Sequence, residues 1–287
     1  MKTVLLILLS ISTLFGAKIE LEVLGSGGPE IDGRASTSYL LWIDNEAKLI
    51  VDMGSGSMLR FEESHAKLET LEAVVLTHLH IDHSVDLPSF VKAGYFSQRT
   101  KSLDIIGPDG NWYFPSTSEF VENLFGSDGA YRYMKDILEE KNDSFQIIPF
   151  DIDEKTTRKY KSFTLTMIPV HHGIVPALAL RIDVQGKSIL ISGDTNNKNH
   201  SLEKLAKGVD LFVAHHAIPE YAQGYATELH MKPTEIANIA KNSHVKEVLL
   251  THRMKRTLGS EKETLQIIGK IYQGKVSFAE DKMKVEL

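Results

Sequence analysis

Three histidines and an aspartate lie within the short stretch "THLHIDH", residues 77–83. Imidazole nitrogens and carboxylate oxygens are ligands for zinc, iron and manganese where no thiolate is present. The stretch follows the apolar run "LEAVVL", which is typical of a short buried strand. Because side chains two apart on a strand point the same way, His78 and His80 should project together, with Asp82 and His83 following where the chain turns. The pattern indicates a metal site.

More donors of the same kinds follow other apolar segments, where predicted strands end. "SFTLTMIPV" predicts a strand that leads to His171 and His172, and "ALALRIDVQGKSILISGD" predicts a hairpin that ends at Asp194. "VDLFVA" and "VKEVLL" predict strands before His215 and His252. One tetrahedral ion needs about four ligands, so the set suits a pair of ions roughly 3.5–4 Å apart. The candidate ligands are His78, His80, Asp82, His83, His172, Asp194 and His252.

The composition is that of an ordinary globular protein. Of the 287 residues, 42% are hydrophobic and 24% are charged, and the length suits one large domain or two small ones. The 32 basic and 38 acidic residues give a net charge of −6. The phosphate backbone of a nucleic acid would therefore meet no general attraction, which disfavours a nucleic-acid partner.

The first residues, "MKTVLLILLSISTLFGAKIE", have the layout of a secretory signal peptide, with a lysine, an apolar run and a small-residue site near Ala17. We expect residues 1–17 to be removed, which leaves no stable membrane anchor and places the mature chain in a bacterial periplasm or outside the cell. The run is shorter than the roughly 20 residues that a spanning helix needs. The chain has no cysteine, so it has neither a disulfide nor a lipid-bearing N-terminal cysteine.

The predicted elements indicate one α/β domain over residues 18–287. "KIELEVLG", "TSYLLWID" and "AKLIVD" predict strands in hairpins, and later strands alternate with helices such as "SLEKLAKG" and "KPTEIANIAKNS". "SMLRFEESHAKL", "PSFVKAGYF" and "YRYMKDILEEKN" predict further helices. In α/β scaffolds, strands that end in polar residues deliver them to one edge of a sheet. We therefore expect mixed sheets covered by helices.

Taken together, "THLHIDH", His172, "GDT" at Asp194 and "LLTH" at His252 resemble the metallo-β-lactamase fold superfamily. The resemblance spans the mature chain and implies an α/β fold, a four-layer αββα sandwich of two mixed sheets flanked by helices. Within that superfamily the chain is most similar to the ribonuclease Z and arylsulfatase/phosphodiesterase branch, through "LGSGGP", "VAHHA" and "HMKPTEIANIAKNSHVKEVLLTH". The resemblance implies a metal-dependent hydrolase.

The resemblance also implies how the donors divide between two zinc ions, with manganese or iron as alternatives. One ion would take His78, His80 and either His171 or His172. We prefer His172, because the branch places its ligand just before a strand like "VPALALRI". The ligands implied for the other ion are Asp82, His83 and His252, with Asp194 bridging the pair.

The same resemblance suggests catalytic roles around a metal-bound hydroxide. Asp82 would orient or deprotonate the nucleophile, and His230 would protonate the leaving oxygen. Asp52, at the end of "LIVD", is expected to orient a ligand rather than to be one. In ribonuclease Z the second His of "VAHHA" is usually Glu, so His216 departs from the family pattern. His216 could hydrogen-bond His230 in place of that Glu.

The reaction implied is hydrolysis of a phosphodiester or sulfate ester in a small molecule. Bacterial ribonuclease Z carries a long tRNA-gripping insertion between the positions of His172 and Asp194, and residues 173–193 cannot hold one, so RNA cleavage is disfavoured. Residues 253–287 are too few for the helical C-terminal domain of glyoxalase II. A lactonase or other carboxylic ester hydrolase is the alternative, ahead of an iron-dependent sulfur dioxygenase and a non-catalytic metal-binding protein. Dimers are common in this branch, so a homodimer is compatible with the resemblance.

Isolated histidines are more often ordinary surface or core residues than ligands, and His65, His200 and His244 are interpreted in that way. His215 is equally compatible with structural hydrogen bonding and with lining the site. "GSGGP" alone indicates a tight turn rather than a phosphate-binding loop, because it lacks the Lys-Ser/Thr of a P-loop.

Overall fold

Two seven-stranded sheets form the centre of the computed structural model, which describes residues 16–140 and 145–287. The predicted signal segment, residues 1–17, lies outside these ranges except for Gly16 and Ala17. In spatial order the first sheet consists of β14 (Lys284–Glu286), β1 (Ile19–Gly25), β2 (Ser38–Ile43), β3 (Glu46–Val51), β4 (Ala73–Val75), β5 (Leu103–Pro108) and β6 (Ile147–Ile152). The second consists of β13 (Lys275–Phe278), β12 (Glu247–Thr251), β11 (Leu211–His215), β10 (Lys187–Ile191), β9 (Val175–Val184), β8 (Thr164–His172) and β7 (Thr156–Lys159).

Each sheet joins antiparallel hairpins to a run of parallel strands. In the first sheet β14, β1, β2 and β3 pair antiparallel and β3 to β6 pair parallel. In the second sheet β7 to β10 pair antiparallel and β10 to β13 pair parallel. Neighbouring parallel strands end at the same edge, so each sheet has one edge where several carboxyl ends meet.

Helices cover the outer face of both sheets. Apolar side chains from both sheets, such as Leu21, Leu180 and Val213, form the core between them. Phe90 belongs to a second cluster between the first sheet and its helices, and Ile236 to a third on the outer face of the second sheet. The helices of the described ranges are α1 (Ser57–Glu63), α2 (Ile81–Ser84), α3 (Leu87–Gly94), α4 (Thr117–Phe125), α5 (Glu203–Ala206), α6 (Ala226–Leu229), α7 (Pro233–Asn242) and α8 (Glu261–Gly269).

These layers confirm the predicted αββα sandwich of two mixed sheets flanked by helices. The predicted hairpin turn is also present: Gln185 and Gly186 both have positive φ between β9 and β10, as a two-residue hairpin turn requires. Within the described part of the chain, no helix is both long enough and apolar enough to cross a membrane.

One predicted helix has a different form. Residues 132–138 of "YRYMKDILEEKN" form a 3-10 segment that is kinked at Met134, whose φ of −110° lies outside the helical range. The sequence predicts an α-helix here, whereas the kink at Met134 interrupts the helical path; Met134 and Ile137 are both buried.

The core between the sheets generates a stability prediction. Leu180 is fully buried there, so Leu180→Ala should lower the free energy of unfolding by about 2–5 kcal/mol, through lost apolar burial and the cavity left behind. Leu265→Ala on the exposed face of α8 is the matched control and should change it by less than about 0.5 kcal/mol. Urea titration followed by circular dichroism measures both. Equal effects of the two substitutions would contradict the assignment of the core.

Candidate metal centre

The candidate ligands meet where the carboxyl ends of strands from both sheets come together. From the first sheet, "THLHIDH" follows β4 and runs into α2. From the second, His172 ends β8, Asp194 follows β10 and His252 follows β12. The centre therefore joins the two sheets at one edge of the sandwich.

One group of donors consists of His78, His80, His172 and Asp194, whose ligand atoms all lie within 4.8 Å of one another. Nε2 of His78 is 3.0 Å from Nδ1 of His80, and Nε2 of His172 is 3.7 Å from Oδ2 of Asp194. Atoms that share a tetrahedral zinc at about 2.0–2.2 Å lie roughly 3.3–3.6 Å apart, so these spacings suit one cation. His78, His172 and Asp194 are buried, and His80 is partly exposed.

A second group, Asp82, His83 and His252, satisfies the same 4.8 Å limit. Oδ2 of Asp82 lies 3.6 Å from Nε2 of His83 and 3.9 Å from Nε2 of His252. Both imidazoles also face Asp194, whose Oδ2 is 3.8 Å from His83 and 3.3 Å from His252. One carboxylate oxygen thus lies between the two groups, as the bridging role expected of Asp194 requires.

The donor atoms of His78, His83 and His172 are in a state that suits a cation. Nε2 of His83 and Nε2 of His172 are buried and have no hydrogen-bond partner, which is costly unless something else satisfies them. Burial lowers the pKa of His78 well below its usual value and lowers that of His83 to about 4, so these imidazoles are neutral at neutral pH. Neutral imidazole is the form that binds metal. The residues present therefore fit a pair of divalent cations.

The other oxygen of Asp194 is held by His215. Nδ1 of His215 is 2.7 Å from Oδ1 of Asp194, while its Nε2 is 3.0 Å from the hydroxyl of Tyr39. Tyr39 in turn donates to Oγ1 of Thr251. This chain, which joins β2, β11 and β12, leaves Oδ2 of Asp194 directed at the ligand groups. The sequence was compatible with structural hydrogen bonding by His215 and with a place in the lining of the site. The structure shows both, because His215 lies within the site and hydrogen-bonds Asp194 and Tyr39.

Asp52 holds a ligand from behind, in the position expected from the sequence. Its Oδ2 lies 2.8 Å from Nδ1 of His83, and the backbone N–H of Thr77 donates to its Oδ1 over 2.6 Å. Burial raises the pKa of Asp52 to about 7, although the hydrogen bonds from Thr77 oppose the shift. Asp52 has a φ of +62°, a left-handed conformation that is rare outside glycine and concentrates at functional sites.

The "GSGGP" turn packs against His252. Nδ1 of His252 lies 2.7 Å from Oγ1 of Thr37 and 3.3 Å from the carbonyl of Gly27. A Cβ on Gly28 would lie 3.1 Å from the ring of His252, a tight contact that would press on this ligand. The turn is therefore more than a connection, since it orients a ligand. Burial would lower the pKa of His252, but Asp194 and Asp82 raise it to about 9.

His230 lies beside the centre without joining either ligand group. Its Nδ1 is 3.9 Å from Oδ1 of Asp194 and is buried without a hydrogen-bond partner. Burial lowers the pKa of His230 to about 3, although Asp194 opposes the shift, so its ring is neutral at neutral pH. His230 also borders a cavity of about 320 Å³ with Asn196 and Lys232.

Two alternatives left open by the sequence now have structural answers. His171 points its backbone carbonyl at Thr195 and Asn196 and belongs to neither ligand group, so the preference for His172 agrees with the geometry. The expected hydrogen bond between His216 and His230 is wrong. Nε2 of His216 is instead 3.4 Å from Oγ1 of Thr264 in α8.

The three isolated histidines that were interpreted as ordinary residues, His65, His200 and His244, are exposed.

Several supporting residues carry no recognisable signal in the sequence. Tyr39, Thr37 and Thr77 have the types of ordinary strand and turn residues, and only their contacts with His215, His252 and Asp52 reveal their roles. A polar residue at a strand end, as at Thr77 before His78, was the one feature that could have indicated such a role.

Comparison with known proteins agrees with the fold. Residues 50–253 match the profile of a β-lactamase superfamily domain. Ribonuclease Z of Mycobacterium bovis (strain BCG / Pasteur 1173P2) is 28% identical over an alignment of 290 positions. This alignment covers 94% of this chain and 98% of that protein.

Two solved structures share the fold at low sequence identity. The metallo-β-lactamase fold protein YhfI from Bacillus subtilis has a TM-score of 0.74 and 20% identity, over 95% of this chain and 100% of that one. The short form of human tRNase Z has a TM-score of 0.67 and 20% identity, over 93% and 98%. With the profile match over most of its length, the chain belongs to the metallo-β-lactamase superfamily of hydrolases.

Proposed function

We propose that this protein is a hydrolase of small phosphodiesters that works with two divalent cations, zinc being the expected metal. The observation that carries the proposal is the position of Oδ2 of Asp194. This one oxygen lies 3.3–3.9 Å from Nε2 of four imidazoles, two in each ligand group: His78 and His172, and His83 and His252. A carboxylate shared between two sets of ligands is the arrangement of a two-ion hydrolytic site.

Two bound cations would lower the pKa of a bound water to about 7 and would stabilise negative charge on the ester. The chain's own residues position the reactants. Asp82, whose Oδ2 faces His83 and His252, is suited to accept the proton of the attacking water and to fix its direction of attack. Asp52 and His215 keep the ligands in one orientation through their buried hydrogen bonds.

His230 is the candidate donor to the leaving oxygen. It lies at the edge of the centre, close to Asp194 but outside both ligand groups, and its Nδ1 has no competing partner in the fold. Its neutral ring carries one N–H, which can donate a hydrogen bond to the oxygen as the ester bond breaks. His216 contacts Thr264 and not His230, so it gives the ring of His230 no hydrogen-bond support in this role.

The choice of phosphodiesters is supported by the ribonuclease Z relative, whose substrate is a phosphodiester by name. The net charge of −6 and the short turn at residues 173–174 between β8 and β9 favour a small substrate over tRNA. An aryl sulfate presents a similar tetrahedral ester, so we include it in the proposed class. Bis(4-nitrophenyl) phosphate, 4-nitrophenyl sulfate, a lactone and a β-lactam form the test panel, and preferential turnover of the lactone would overturn the proposal.

Asp194→Asn should remove both metal and activity. The amide keeps the shape of the carboxylate but brings no charge to the shared position, so metal content should fall well below two ions per chain. Turnover should drop by about 100-fold or more. Asp183→Asn, at a half-exposed position near the end of β9, is the matched control and should keep both. Inductively coupled plasma mass spectrometry measures the metal, and two ions retained by Asp194→Asn would refute the bridging role.

His230→Ala should slow turnover by about 100-fold for a phosphodiester with an alkyl leaving group, because the leaving oxygen loses its donor. The loss should be much smaller for 4-nitrophenolate, which leaves without protonation. The metal content should stay at two ions, since His230 is in neither ligand group. His244→Ala is the control, as that side chain is exposed. Equal losses for both leaving groups would contradict the donor role.

We also propose that the protein acts after export, on the basis of residues 1–17. Expression of the full chain in a Gram-negative host should give a periplasmic protein that begins near Lys18. Cell fractionation and intact-mass measurement test this proposal. An uncleaved chain that stays in the cytosol would show that the segment is not a signal peptide.

A further inference from the structure

An exposed aromatic segment lies beside the candidate metal centre. Trp112 is 93% exposed and Tyr113 is 70% exposed, in the loop between β5 and α4. Ile174, in the turn between β8 and β9, is 54% exposed. We call these three residues the aromatic rim. Large apolar side chains this exposed are a cost in water unless a ligand or partner covers them.

The loop is fixed to the strand end that supplies His172. The side-chain amide of Asn111 donates to the carbonyl of Ile174 over 2.8 Å, two residues beyond that ligand. Oδ1 of Asn111 accepts from the backbone N–H groups of Tyr113 and Phe114 at 2.8 and 3.0 Å. One side chain thus sets the loop's shape and its distance from the centre.

Phe114 connects the rim to His80, in the ligand segment that follows β4. Its ring centroid is 6.2 Å from that of His80, the one partly exposed ligand of its group. Trp112 is only two residues away along the chain, within about 7 Å between Cα atoms. A group attached to an ester held at the centre can therefore reach the rim.

The rim borders a shallow, open surface depression of about 430 Å³. No lining side chain is charged, so the depression offers no cationic contact for the phosphates of a nucleic-acid chain. Its floor is formed by the turn that directly follows His172. The lining residues are Asn111, Trp112, Tyr113, Gly173, Ile174, Val175 and Pro176.

We propose that the aromatic rim binds an aromatic group of the substrate, so that the protein prefers aryl esters to alkyl esters; this inference rests on the proposed ester hydrolysis. Trp112 provides a ring face on which the aromatic group can stack. Ile174, which lines the same depression, provides an apolar contact for that group. The rim is a specificity element, since it touches the substituent and not the reacting atoms.

The test compares phosphonates that the protein cannot hydrolyse. Phenylphosphonate, cyclohexylphosphonate and methylphosphonate share an anionic head, and only the first has an aromatic face. Isothermal titration of the zinc-loaded protein should show phenylphosphonate binding about three- to tenfold more tightly than cyclohexylphosphonate, and methylphosphonate binding weakest. Saturating phenylphosphonate should also change the tryptophan fluorescence, because Trp42 is buried and Trp112 is the exposed one of the two tryptophans.

Variants then locate the effect. Trp112→Leu keeps an apolar side chain but removes the ring, and should bring the phenyl-to-cyclohexyl ratio to about one. Phe96→Leu removes another exposed aromatic, beside Lys92 at the end of α3, and should leave the ratio unchanged. A ratio near one in the unmodified protein, or a ratio that survives Trp112→Leu, would overturn the inference while ester turnover in the substrate panel still stood. Failure of all three phosphonates to bind would overturn it as well.

Discussion

A buried carboxylate among buried imidazoles is the interaction on which this structure depends. Asp194 is only 2% exposed, and burial alone would raise its pKa. The neighbouring His252 and His230 and the hydrogen bond from His215 outweigh that effect and hold its pKa well below the usual value. The site therefore keeps a negative charge inside the protein, where it attracts cations strongly. The ends of β3, β4, β8, β10, β11 and β12 each contribute either a ligand or a residue that holds one.

Much of the site could be predicted from sequence because its chemistry is concentrated at strand ends. A histidine cluster directly after an apolar run, as in "THLHIDH", combines a recognisable strand with residue types that have few other uses together. Single donors such as His172 and Asp194 became identifiable only as members of a set with the spacing of a known family. The strand assignments followed from periodicity, whereas the four-layer order came from the resemblance to the family.

What the sequence could not provide were contacts between distant segments. Tyr39 and Thr251 are ordinary strand residues until the two sheets stack and bring them to His215. The contact of His216 is of the same kind: this residue comes directly after β11, and its Nε2 lies 3.4 Å from Oγ1 of Thr264 in α8, while His215 at the strand end faces Asp194. Helix α4 was missed although Ser116 and Glu119 form a capping box at its start.

The position of the ligands on both sheets has a consequence for the protein in the cell. Any cation held there joins the two halves of the sandwich, so its binding free energy adds to the stability of the fold. At 100 times the dissociation constant, one ion adds about 2.7 kcal/mol, a large share of the stability of an ordinary domain. The survival of the chain against proteases would then follow the free level of that cation in its compartment. Starvation for the metal would reduce the amount of protein as well as its turnover.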